Sequence, residues 1–133
     1  MSELNNLDIA NKRDEIIFGE KYNKDEYLGG VRYYENLSLK QLKQLIDIGS
    51  FDAEETQNSA PSCGEFLEFM EDYPQTTCHG YVVSPERSDF RFSMEGLECT
   101  KDITKDMIID FLELNRCADE LTANDDELYC WYD

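Results

Sequence analysis

The chain has 133 residues, 41% of them apolar, and carries 30 acidic against 12 basic side chains for a formal net charge of −18. That length can bury a core without metal or disulfide support, and 16 aromatic residues with dense aliphatic periodicity argue for a folded rather than a disordered chain. Charge of this sign and size opposes direct binding to nucleic-acid phosphates or to an anionic membrane surface, so the expected partner is a basic protein.

Taken in order, the chain reads as one α+β domain over residues 1–133, with residues 1–28 as an N-terminal helix or loosely attached tail. Leu4, Leu7, Ala10 and Ile17 fall near helical spacing after a Ser2 cap, with Gly19 as the stop. Gly29-Gly30 punctuates the chain, and the alternating, β-prone run Val31-Arg32-Tyr33-Tyr34 predicts an edge strand. Ser38-Leu39-Lys40-Gln41 is a capping box, and Leu39, Leu42, Leu45 and Ile46 then form one stripe up to Gly49. A second capping box, Ser62-Cys63-Gly64-Glu65, opens a helix with Cys63, Phe66, Leu67, Met70 and Tyr73 on one side, ended by Pro74.

The organising element is a β-hairpin at about residues 77–95, turned at Ser84-Pro85-Glu86-Arg87-Ser88 with Pro85 at position i+1 of a type I turn. A five-residue loop sets Val82 against Phe90, Gly80 against Phe92 and Cys78 against Met94 on the core side. Val83, Tyr81 and His79 then face Asp89, Arg91 and Ser93 on a wet side, and Gly96 ends the second run. A two-stranded ribbon is marginal alone, so the fold class expected is an antiparallel sheet built on this hairpin and covered by three or four helices. Thr104 or Asp102 caps a further helix with Met107, Ile108, Phe111, Leu112 and Ala118 inward. The alternation in Leu128-Tyr129-Cys130-Trp131-Tyr132 predicts a last strand beside the hairpin.

Reactive chemistry finds little support in these residues. His79 is the only histidine, no GxSxG, GxGxxG or P-loop run occurs, and Cys78 lies on the opposite side of the ribbon from His79. The five cysteines, 13 to 21 residues apart with no CxxC pair, lack zinc-site spacing and imply free thiols in a reducing, cytoplasmic setting. Met1 leads into Ser2-Glu3-Leu4-Asn5 with neither a basic nor an apolar leader region, and the apolar runs are too short to span a bilayer. Neither Asp125-Asp126-Glu127 nor Glu71-Asp72 has the alternation and central glycine of an EF-hand loop. No cofactor or metal is expected.

The run Gly30-Val31-Arg32-Tyr33-Tyr34-Glu35-Asn36-Leu37, the Asn58–Met70 segment and His79-Gly80-Tyr81-Val82-Val83-Ser84-Pro85-Glu86-Arg87 together resemble small acidic uncharacterised proteins of bacteria, often carried on mobile elements. The resemblance covers about residues 29–133 and implies a bacterial cytoplasmic protein, with no activity or site residue to carry over.

Charge distribution gives the functional reading. Residues 61–133 hold 18 of the acids and five of the bases. A compact chain of this size is roughly 36 Å across, a length over which duplex DNA carries about twenty phosphates. The expectation is a non-catalytic acidic interaction protein for a basic protein partner, with a DNA-mimic inhibitor of a DNA-binding or defence protein as a special case. Asp125, Asp126 and Glu127 beside Tyr129, Trp131 and Tyr132 would form a charged rim around apolar anchors, with Tyr81 and Arg91 as a second contact. The alternative is a small carboxylate-based enzyme, with or without a metal, which requires two acids held in a pocket with displaced pKa values.

Overall fold

A computed structural model describes residues 5–133. Helix α1 (Asn6–Phe18) starts at Asn5, whose side chain accepts from the Asp8 amide, and ends at Gly19. The predicted Ser2 cap and Leu4 lie outside the described residues. The helix is held by an ion pair: Arg13 and Asp14 are both 0% exposed, Arg13 Nε donates to Asp14 Oδ1 at 2.8 Å, and Tyr27 bridges the two. Arg13 also donates to the Val83 carbonyl, 70 residues on. A one-turn 3₁₀ helix (Lys24–Glu26) follows, then a tight turn in which Leu28 and Val31 exchange backbone hydrogen bonds. Gly29 and Gly30 have φ of +62° and +81°, a pair of left-handed conformations that other residues adopt at a cost.

The remaining elements are β1 (Val31–Leu37), α2 (Leu39–Asp47), α3 (Cys63–Asp72), β2 (Thr77–Val83), β3 (Phe92–Cys99), α4 (Lys105–Leu114), β4 (Glu120–Ala123) and β5 (Leu128–Trp131). The strands form one antiparallel sheet in the order β1-β2-β3-β5-β4. The α+β class, the hairpin, the edge strand and the last strand are as the sequence predicts. Both capping boxes form with reciprocal hydrogen bonds, and Thr104 caps α4.

Core residues of α2, α3 and α4 meet the inward side chains of the sheet: Tyr34 and Leu37 from β1, Cys78 and Val82 from β2, Met94 and Leu97 from β3, Leu128 and Cys130 from β5. Two of these pairs are three residues apart, which strict alternation would put on opposite faces. Bulges reconcile them: Asn36 at φ +58° interrupts β1, and Glu95 is an extra residue in β3 between the Gly80–Met94 and His79–Gly96 pairs.

Several expectations are corrected. In the hairpin Val82 faces Phe92 and Gly80 faces Met94, two residues off the predicted register, and β3 runs through Gly96 to Cys99. The loop is longer because it contains two successive turns: the Arg87 amide donates to Ser84 and the Phe90 amide to Arg87. The Ser84 amide donates to Gly30 and its hydroxyl pairs with Tyr22, which stitches the loop to the N-terminal region. The wet side is also drier than expected, since Val83 and Ser93 are buried. Ile46 and Leu112, expected inside, are exposed. Strand β4 was not expected; it is joined to β5 by a turn in which the Asn124 side chain accepts from the Asp126 and Glu127 amides.

Candidate functional site

The helices occupy one face of the sheet. Among the described residues, the opposite face is covered only where the 55–58 segment crosses β3: Gln57 donates to Glu95 Oε2 at 2.9 Å and accepts from Ser93. Alternation and pairing set the rest of this open face. Tyr33 comes from β1, His79 and Tyr81 from β2, Glu95 and Glu98 from β3, Tyr129 and Trp131 from β5, and Glu120 lies opposite Trp131 on β4. Tyr33 is 70% exposed, whereas His79, Tyr81, Tyr129 and Trp131 are half-buried, with ring contacts between His79 and Tyr129 and between Tyr33 and Tyr81.

His79 is placed by an absence of side chain opposite it. Gly96 faces it across the pair, and a Cβ there would lie 2.8 Å from His79 Cε1 and 1.9 Å from the Cys130 carbonyl oxygen. The imidazole therefore crosses β3, its Nε2 reaches the Cys130 carbonyl at 3.0 Å, and its ring stacks on Tyr129 with centroids 5.3 Å apart and planes 9° from parallel. A carbonyl only accepts, so Nε2 carries the proton. Burial holds the imidazole below its usual pKa, opposed by the Cys130 carbonyl and by Glu35.

Glu95 owes its position to the bulge, which turns its side chain onto the open face while it is only 9% exposed. Burial raises its carboxyl above the usual value, with Gln57 and Trp131 opposing and Asp133 adding to the shift. A groove of about 450 Å³ runs past these groups between Tyr33, His79, Tyr129 and Trp131, with Glu35, Glu95, Glu98 and Asp133 as its charged residues. Beside it lies a second groove of about 440 Å³, shared at Tyr33, Glu95 and Asp133, into which Tyr81, Arg87 and Arg91 project. Arg91 donates to Tyr81 Oη at 2.7 Å and to Asp89 at 3.1 Å, and its Nε lies 3.2 Å from Glu55.

The sequence-derived contact set is thus divided. Tyr81, Arg91, Tyr129 and Trp131 share the open face, while Asp125, Asp126 and Glu127 occupy the β4–β5 turn at the sheet's edge. Tyr132 does not belong with them: it is 1% exposed, packs edge-on against Phe66 and donates to Asn115 at 2.9 Å. It continues the alternation of β5, in phase with the buried Leu128 and Cys130 and out of phase with Tyr129 and Trp131, and its amide extends the pairing to β3 by donating to the Glu95 carbonyl. Tyr33, Glu95 and Gln57 escaped sequence reasoning. Tyr33 was findable from the 31–35 alternation, and Glu95 from the interruption of alternation between Met94 and Leu97 that Gly96 signals.

Among the described residues, His79 is bonded to the Cys130 carbonyl and stacked on Tyr129, and no thiol or hydroxyl is paired with it. Cys78 and Cys130 both point into the core, where burial raises the Cys78 thiol and pushes that of Cys130 up to about 12. Among the described residues no three histidine, cysteine or acidic side chains converge as a metal-binding group, and no helix is long and apolar enough to cross a membrane. Compared with family models, curated proteins and solved structures, the chain matches none of them.

Proposed function

We propose that this chain is a non-catalytic acidic binding protein that engages a basic protein partner through the open face of its sheet. The observation that carries the reading is the row Tyr33, Tyr81, Tyr129 and Trp131, aromatic side chains left partly accessible and rimmed by Glu35, Glu98, Glu120 and Asp133. Aromatic anchors supply contact area at little entropic cost, and a charged rim sets partner choice and encounter rate. The charge of −18 adds long-range attraction for a basic surface. Five free thiols, four of them buried, agree with a reducing cytoplasmic setting.

Affinity capture from the source cell at low and high salt, followed by mass spectrometry, tests this. The expected result is a basic protein whose binding falls steeply between about 50 and 300 mM salt; a salt-insensitive or acidic partner contradicts it. The DNA-mimic form of the reading draws on the outward carboxylates of the adjacent helices α3 and α4: Glu65, Glu68 and Glu71, with Asp106, Asp110 and Glu113. In that case duplex DNA competes with this chain for the partner.

A second reading, a small carboxylate enzyme, draws on Glu95, whose raised pKa and place beside His79 in one groove meet part of what acid–base catalysis requires. An activity that disappears in Glu95→Gln while partner capture is retained would favour it.

A further inference from the structure

The groove between Tyr33 and Trp131 differs from its neighbour in charge. Four carboxyl groups line it and no lysine or arginine does, whereas the adjoining groove is furnished with Arg87 and Arg91. Elsewhere the molecule shows what this combination of rings and carboxylates holds. Three of the chain's five arginines lie over an aromatic ring and pair with an acid: Arg13 over Phe90 with Asp14, Arg32 over Phe18 with Glu20, and Arg91 beside Tyr81 with Asp89. The Arg32 guanidinium is 3.7 Å from the Phe18 centroid. In the groove, the parallel His79–Tyr129 pair and the Trp131 ring lie within one cleft with Glu35 and Glu98, and the imidazole Nε2 proton is engaged by the Cys130 carbonyl.

We infer that this groove receives an arginine side chain from an extended, basic segment of the partner protein, its guanidinium against the aromatic rings and between the groove carboxylates. The inference rests on the basic-partner reading and narrows it to one side-chain chemistry. Arginine is favoured over lysine because a planar, weakly hydrated guanidinium stacks on a ring and bonds a carboxylate with two donors, whereas an ammonium stays a hydrated point charge. Stacking of this kind is worth about 1 kcal/mol at a partly exposed site, or roughly fivefold in affinity.

Trp131 is the only tryptophan in the chain, so its fluorescence reports on the groove. The test titrates the full chain with end-capped triarginine and trilysine peptides at low salt, following Trp131 emission and, independently, heat of binding. Triarginine is expected to change the emission and to bind about fivefold more tightly than trilysine. That preference should be lost in Tyr129→Ala and reduced in Glu98→Gln, a carboxylate variant that leaves the core untouched. Equal binding of the two peptides with unchanged emission overturns the groove assignment while leaving the basic-partner reading standing. So does an arginine preference that survives both substitutions. Binding of neither peptide overturns both readings.

Discussion

Arg13 and Gly96 show how single residues fix this molecule. Arg13 is fully buried with Asp14 and reaches the hairpin carbonyls, so the N-terminal helix is fastened to β2 by one guanidinium. Arg13→Met leaves Asp14 as a buried charge with only the Tyr27 hydroxyl, and should lower stability by about 3–5 kcal/mol in denaturant titration. Adding Asp14→Leu should recover much of that loss, because the desolvated charge is then gone as well. Gly96→Ala must push β3 from β5, since its Cβ would meet the Cys130 carbonyl; a loss of about 2 kcal/mol or more is expected, together with loss of the His79–Tyr129 stack. His79 sets a pH dependence. Its folded pKa lies below its unfolded value near 6.5, so the unfolded chain takes the proton first as pH falls. Its contribution to stability is therefore full above that unfolded value and lost as pH falls through the lowered folded pKa. Glu95, shifted upward, acts in the opposite sense, its contribution present in acid and lost as pH rises through its raised pKa. Stability measured across pH 4 to 8 should decline less on the acid side in His79→Gln than in the parent chain.

At the scale of elements, local chemistry and tertiary contact divide the labour. The caps Ser38, Ser62 and Thr104 were legible because each depends on a hydroxyl and an amide three residues away, whatever surrounds them. The hairpin register was not, because its loop is set by Gly30 and Tyr22, which reach Ser84 from more than fifty residues upstream. Strand β4 was hidden for a related reason: Glu120-Leu121-Thr122-Ala123 is too short for its alternation to stand out, and only pairing with β5 makes it a strand. Half of the candidate face was readable on the same terms. Tyr81, Arg91, Tyr129 and Trp131 follow from period-two patterning, while Glu95 required a bulge that breaks the pattern. Packing of the elements also sorts the thiols. Cys63, Cys78, Cys99 and Cys130 are buried, burial pushes Cys63 and Cys130 up to about 12, and Cys117 after α4 is exposed. One thiol should react rapidly with a disulfide reagent under native conditions, and the other four only on unfolding; a second fast thiol would contradict this packing.

For the whole molecule, charge and shape act in different directions. Carboxylates appear on the outward sides of α3 and α4, at the hairpin tip and around the open sheet face, so self-repulsion is spread over the surface. Added salt should therefore raise the melting temperature while weakening attachment to a basic partner, two responses of opposite sign from one cause. The aromatic row is what distinguishes one acidic side from another, because the helix side offers carboxylates with exposed apolar side chains that are aliphatic, Ile46 on α2 and Ile109 and Leu112 on α4. Oxidative footprinting of the chain, free and bound to its captured partner, separates the two sides most directly. Tyr33, Tyr129 and Trp131 are expected to become protected on binding while Ile109 and Leu112 keep their reactivity. Protection confined to the α4 side, with the three aromatic residues oxidised as in the free chain, would contradict it.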